Sequence, residues 1–234
     1  MTLTHDDLRT LASEAPTRED LWVNVITRAD VRRVAEIGVY RGLFAEQLLD
    51  GSPEITDYYM IDPWRHLDDW NKPANKDNDT FNEFFDEAMR RTEAHSARRR
   101  VLRGRTSEVV DQIPDEHLDL VYIDGDHTLR GITIDLIQAW DKVRPNGWIG
   151  GDDFAKTIWQ HNQSFEPTLV FPFAVYFAEA MGCPIHALPY QQFIIVKNPE
   201  RGFSFTDLTG RYPATDLLTQ FGKARGRRGQ AQKA

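Results

Sequence analysis

The chain has 234 residues, of which 41% are hydrophobic and 27% charged, and a formal net charge of -8. This composition suits a globular core and excludes a disordered or fibrous chain. A single cysteine, Cys183, rules out an intrachain disulfide and argues against a cysteine-based zinc site. The acidic balance argues against a nucleic-acid partner, which leaves a basic stripe for phosphates. No apolar run reaches the roughly 18–20 residues that cross a bilayer, so no membrane partner is expected. The first twenty residues are polar and acidic and lack the pattern of a secretory signal. A cytoplasmic location is the resulting expectation.

Apolar spacing predicts two amphipathic helices over residues 5–13 and 17–29, the second with Leu21, Trp22, Val25 and Ile26 on one face. VRRVAEIG reads as a strand ending in glycine, GLFAEQLLD as a helix, and DYYMID as a second strand ending in an acid. Residues 63–98 form a long polar and aromatic insertion, with a helix over TFNEFFDEAMRRTEAH. It reads either as a lid or binding loop or as a surface helix packing its aromatics on the sheet. RRRVLRG is a third strand, SEVVDQI a short helix and HLDLVYID a fourth strand. LRGITIDLIQAWDKV is a helix closed by Pro145, Asn146 and Gly147, after which WIGGDDF is a fifth strand. FAVYFAEAMG is helical, and PIHALPY and QQFIIVK pair as a hairpin around Pro189 and Tyr190.

Strands alternating with helices predict a Rossmann-like, doubly wound α/β fold: a mostly parallel seven-stranded sheet with a terminal antiparallel hairpin. Residues 1–222 read as one domain with residues 1–30 as N-terminal helices. The basic tail 223–234 reads as disordered and solubilising, with nucleic-acid binding the lesser alternative.

Ligands of doubly wound sheets sit beyond the carboxyl ends of the strands. The first such end reads Glu36-Ile37-Gly38-Val39-Tyr40-Arg41-Gly42. Gly38 and Gly42 permit a sharp turn and close approach to a ligand. Their spacing is not the G-x-G-x-x-G of a pyrophosphate cradle. Glu36 suits a ligand with a positive centre. Asp62 ends the second strand, where a carboxylate can accept two ribose hydroxyls. Thr106 and Ser107 follow the third strand and could edge an adenine; Asp124 ends the fourth. Taken singly, each has a plain explanation as a turn or cap.

Asp124, Asp152 and Asp153 end neighbouring strands four and five, and three carboxylates meeting at one point repel unless a cation joins them. Oxygen ligands suit Mg2+ or another hard divalent ion. The alternative is that Asp126 and Asp153 cap the helices that follow. Asp126 and His127 lie on the turn beyond Asp124 and are the candidate bases. His127 is favoured because an imidazole titrates near neutrality, with Asp126 orienting it or a metal-bound water; capping is the plainer role for His127. Trp64, His66, Trp159, His161 and Asn162 are lesser candidates for an acceptor wall. Phe171, Phe173, Tyr176 and Phe177 have the spacing of core or of an oligomer face.

The ordered set of motifs, from about Val34 to Phe154, resembles the class I S-adenosylmethionine-dependent methyltransferases. The aspartate after strand four and the Asp-Asp pair after strand five resemble the metal-dependent O-methyltransferases, most of all the subgroup acting on sugar hydroxyls. The resemblance implies S-adenosylmethionine held by Glu36, Gly38, Tyr40, Gly42, Asp62, Thr106, Ser107 and Asp124. It implies Mg2+ on Asp124, Asp152 and Asp153, and Asp126 or His127 as base. The acceptor it implies is a small molecule or an oligosaccharide, with a mannoside as the first guess. Homo-oligomers are common in this group. Catechol-type relatives, which commonly carry Asn where Asp153 stands, and a cephalosporin-hydroxylase-like branch share these motifs. The competing readings are an NAD-dependent oxidoreductase and a non-catalytic binding protein on the same scaffold.

Overall fold

The computed structural model describes residues 3–212. Two helices, α1 (His5–Glu14) and α2 (Arg18–Ala29), precede β1 (Arg33–Ile37). There follow α3 (Leu43–Gly51), β2 (Asp57–Asp62), α4 (Asn78–Arg91), β3 (Arg99–Arg103) and the short α5 (Thr106–Val109). β4 (Leu118–Ile123), α6 (Leu129–Lys142), β5 (Val143–Gly151) and α7 (Val170–Ala180) continue the alternation. β6 (Pro184–Leu188), β7 (Gln192–Val196) and β8 (Ser204–Asp207) close the sheet.

The helices start where capping side chains stand. The Thr4 hydroxyl accepts the Asp7 N–H while Asp7 accepts the Thr4 N–H. Thr17, Asp77 and Thr128 likewise cap α2, α4 and α6. Every residue of β4 is buried, as a central parallel strand requires. Leu120 and Tyr122 enter the core under α1–α4, and Val121 and Ile123 the core under α5–α7. This is the period-two alternation of a strand.

The sheet runs β3-β2-β1-β4-β5-β7-β6-β8, with β7 antiparallel to both neighbours. The doubly wound, mostly parallel sheet and its hairpin are therefore as expected, except that among the described residues there are eight strands, not seven. The added strand, β8, pairs parallel with β6. Its four residues are only half-buried, so they carry no run of apolar residues to read. A second correction concerns β5, which begins at Val143 rather than Trp148. Asn146 adopts a left-handed backbone (φ 63°) and the register against β4 shifts between Leu118 and Leu120. The Pro145-Asn146-Gly147 breaker thus makes an irregularity within the strand instead of ending an element.

Within the 63–98 insertion, Trp64 and Phe81 are buried, and Phe84 and Phe85 pack on the α1–α4 core. α4 is thus a surface helix seated through its aromatics. The preceding strap, residues 63–77, is tied across the sheet to the loop after β5. Lys72 is buried, and its ammonium donates to Glu166 O at 2.7 Å, Pro167 O at 3.1 Å and the Thr168 hydroxyl at 3.3 Å. Asn71 N–H adds a bond to the Glu166 carboxylate at 2.7 Å. The basic tail 223–234 and the end of the expected domain lie outside the described residues. Among the described residues no helix is long and apolar enough to cross a membrane.

Candidate active site

A cavity of about 810 Å³ opens at the carboxyl ends of β1 to β5. Its floor is the turn after β1. Gly38 has φ +90°, and a Cβ there would sit 2.1 Å from Asp124 O. Gly42 has φ +76°, and its Cβ would meet Ala88 Cα at 2.8 Å. The close approaches that demand glycine are thus to the turn just past β4 and to α4 of the protein itself. This shapes the floor without invoking a ligand.

Asp62 organises that turn. One carboxylate oxygen accepts the Tyr40 N–H at 2.8 Å and the other the Trp64 N–H at 2.7 Å. The Trp64 indole in turn donates to Tyr40 O at 2.7 Å. Tyr40 is thereby held in a left-handed conformation, φ 54°. Burial pushes the Asp62 carboxyl up to about 6, against the pull of these N–H groups. Glu36 is fully buried behind the same turn and accepts the Tyr58 hydroxyl at 2.7 Å. Burial pushes its carboxyl up to about 8, with the Tyr58 bond opposing. Glu36, Gly38, Tyr40, Asp62, Thr106 and Ser107 all line this side of the cavity. So does Asp135, a buried α6 carboxyl that burial pushes up to about 7 against a hydrogen bond from Thr106. Sequence reading missed Asp135, because one Asp inside a helical repeat carries no signal.

On the other side the ends of β4 and β5 bring Asp124, Asp152 and Asp153 together. Adjacent strand residues point to opposite faces. Here the left-handed Asp153 (φ 57°), with its N–H donated to Asp152 Oδ1 at 2.7 Å, breaks that alternation. Protein cations stand among the three acids. Arg18 Nη1 donates to Asp152 Oδ2 at 2.5 Å and lies 3.4 Å from Asp124 Oδ2. His127 Nδ1 is bonded to Asp153 Oδ2. His127 Nε2 lies 3.4 Å from Asp124 Oδ1, an ion-pair separation without a hydrogen bond. Gln160 donates to Asp153 Oδ1 at 2.9 Å, and Gln192 to Asp152 Oδ1 at 2.6 Å. Gln192 is fully buried, and its carbonyl accepts the Trp22 indole and the Tyr122 hydroxyl, each at 2.9 Å.

These contacts bear on three sequence expectations. First, among the described residues no three acidic, histidine or cysteine side chains are grouped so as to hold a metal ion. The three acids expected to bind Mg2+ do meet, but their inward oxygens already face Arg18 and His127, so the arrangement does not fit an ion. Second, His127 is not a neutral imidazole. Burial works to lower its pKa, but Asp124 and Asp153 outweigh it and carry it up to about 10. At neutral pH it is an imidazolium. Asp153 is correspondingly held below the usual carboxylate range: burial raises it and the His127 bond outweighs that. Third, Asp126 lines the cavity and accepts the Thr128 N–H at 3.0 Å, beside the cap of α6. Asp153 caps nothing.

Of the lesser candidates, His161 lines the cavity; Trp64 is core; His66, Trp159 and Asn162 lie outside the lining. Phe171 and Phe177 are core, while Tyr176 is 51% exposed. Sequence reading also missed Arg18 and Lys72. Arg18 did carry a signal. It occupies the first turn of a helix, where the macrodipole disfavours a cation, so a nearby anion was implied.

A glycine turn buttressed by a strand-two acid, facing an acid and imidazolium cluster across one cavity, defines a group-transfer site on a Rossmann-like sheet. A family described as "Methyltransferase domain" matches residues 35–154, just over half of the chain. The chain belongs to this family. Its fold is shared with solved structures of low identity. An O-methyltransferase of Bacillus cereus in complex with SAH is 18% identical, with a TM-score of 0.55, covering 83% of this chain and 92% of that one. The O-methyltransferase TomG of Streptomyces achromogenes, in complex with SAM, is 16% identical, TM-score 0.53, with 85% and 92% covered. A spermidine synthase of Thermotoga maritima is 11% identical, TM-score 0.50, with 87% and 65% covered. The fold alone therefore does not choose the reaction. No curated protein matches the sequence.

Proposed function

We propose that the chain is an S-adenosylmethionine-dependent O-methyltransferase. The observation that carries this reading is the two-sided cavity, with Glu36, Asp62 and the glycine turn on one side and the Asp124, His127 and Asp153 cluster on the other. The amino-acid end of the cofactor has a positive ammonium that suits Glu36. Its ribose hydroxyls suit Asp62, a carboxylate that lines this side of the cavity. Thr106, Ser107 and Asp135 form the wall that remains for the adenine. SAM and SAH in the B. cereus and TomG structures support the same cofactor.

The acceptor hydroxyl sits at the acid cluster. Its oxygen attacks the sulfonium methyl; the C–O bond forms as the S–C bond breaks, and the thioether leaves with the electron pair. As the new bond forms the hydroxyl becomes strongly acidic, so a weak base suffices to take its proton. Asp153, kept ionised by His127, is that base, and the imidazolium keeps the cluster near neutrality. No step is assigned to a metal, because Arg18 and His127 occupy the inward carboxylate oxygens.

The acid pair after β5 supports a sugar or oligosaccharide hydroxyl as the acceptor. A catechol-like or other natural-product hydroxyl is the second reading, favoured by the O-methyltransferases among the fold's relatives. SAH titration by calorimetry, followed by transfer of labelled methyl to panels of sugars and catechols, tests both. Binding of NADH without binding of SAH would sink the methyltransferase reading.

A further inference from the structure

We infer that Arg18 is the built-in counter-ion of Asp124 and Asp152, and that it and a divalent cation are mutually exclusive occupants of that place. The inference rests on the site of the proposed function and concerns what holds its charges together.

Arg18 is fixed from three directions. Its Nη1 reaches Asp152 at 2.5 Å and Asp124 at 3.4 Å, its Nε donates to Glu19 at 3.1 Å, and its guanidinium lies 4.9 Å above the Phe44 ring. One helical turn further along α2, Trp22 is packed on β5 so tightly that a Cβ on Gly150 would lie 2.2 Å from its ring. That contact seats the face of α2 that carries Arg18 over the end of β5, which Asp152 follows directly. The Trp22 indole then reaches Asp152 through Gln192, so one packing contact orients both partners of the ion pair.

A hard divalent ion needs free carboxylate oxygens. The Oδ2 atoms of Asp124 and Asp152 both face the Arg18 guanidinium. Two cations at that spacing repel, so an entering ion must displace the arginine and pay for doing so.

Mn2+ binding followed by electron paramagnetic resonance tests this, using the wild type, Arg18→Met, Arg18→Lys and the double variant Arg18→Met with Asp152→Asn. Arg18→Met is expected to bind Mn2+ at least tenfold more tightly than the wild type. Arg18→Lys, which keeps the charge, is expected to stay within a few-fold of the wild type, and Asp152→Asn is expected to abolish the gain. An affinity in Arg18→Met equal to or weaker than the wild type overturns the inference, as does a gain that survives Asp152→Asn. Circular dichroism checks each fold, and Arg18→Gln replaces Arg18→Met if the latter does not fold. SAH titration of the wild type separates the two ideas. Absence of SAH binding removes the proposed function and leaves the Mn2+ comparison standing. Normal SAH binding with unchanged Mn2+ affinity in Arg18→Met overturns this inference alone.

Discussion

Replacing Glu36 by Gln tests the electrostatics of the cavity most directly. In the ligand-free protein the Glu36 carboxyl is pushed up to about 8 by burial, against an ordinary value of 4.5. Its folded-state pKa is thus raised above its unfolded value. Its contribution to stability is fully present below pH 4.5 and is lost as pH rises towards 8, where the unfolded chain ionises and the native one must hold a proton. Each pH unit within that window costs about 1.4 kcal/mol, so the wild type loses about 3 kcal/mol from this group between pH 5 and pH 7. Asp62 and Asp152, both pushed up to about 6, and Asp135, up to about 7, slope the same way. They remain in Glu36→Gln, so the difference between the two proteins isolates Glu36. Urea denaturation at pH 5, 6, 7 and 8 reads that difference. It should move by about 3 kcal/mol in favour of the variant between pH 5 and pH 7, a sizeable part of a typical stability of about 5–15 kcal/mol. A difference that stays constant across the series refutes the reasoning. SAH supplies an ammonium opposite Glu36 in the proposed complex. Its stabilisation of the wild type should therefore grow from pH 6 to pH 8, and that growth should vanish in Glu36→Gln.

Three other outcomes are expected. Gly38→Ala forces a Cβ against the Asp124 carbonyl at 2.1 Å and a side chain into φ +90°, and should cost at least ~2 kcal/mol in chemical denaturation; a cost below about 0.5 kcal/mol would contradict the drawn turn. Asp62→Ala leaves the Tyr40 and Trp64 N–H groups without their acceptor and should destabilise the fold by ~1–3 kcal/mol while weakening SAH binding in calorimetry; unchanged SAH affinity would remove Asp62 from the cofactor site. Lys72→Met cuts three bonds between the strap and the loop after β5. Hydrogen exchange should accelerate in residues 63–77 and 155–169, with exchange in β4 unchanged; equal acceleration in both would show that the strap unfolds only with the whole.

Much of the parallel sheet was legible because β1 to β5 each end at, or just before, a glycine or an acid. The Asp57–Asp62 strand is read from the sequence with its observed bounds. β8 escaped because Ser204–Asp207 is polar and half-buried. The gathering of Asp124, Asp152 and Asp153 was legible from their strand ends; the place of Arg18 in a helix's first turn implied an anion nearby but not which one. Arg18 lies 106 positions from Asp124 and 134 from Asp152, and no local pattern spans such gaps. The charge state of His127 was not legible for the same reason: its unperturbed pKa describes an isolated ring, whereas two carboxylates brought in by the fold raise it. The glycines of the turn after β1 were read as serving a ligand, and the atoms nearest their missing side chains belong to Asp124 and Gly125, just past β4, and to Ala88 of α4. Sequence marks where the chain turns; the neighbour that requires the turn is a property of the packing.

Gln192 opens the reversed strand β7, opposite Leu188 of β6, and the next residue, Phe193, sits opposite Gly151. Sliding this pairing by one position would turn a phenyl ring into the polar junction and send the amide to the far side. The Pro189–Gln191 corner, with Tyr190 and Gln191 both at positive φ, sets that alignment. The wiring of Asp152 is therefore decided forty residues downstream, by the tight corner that opens β7.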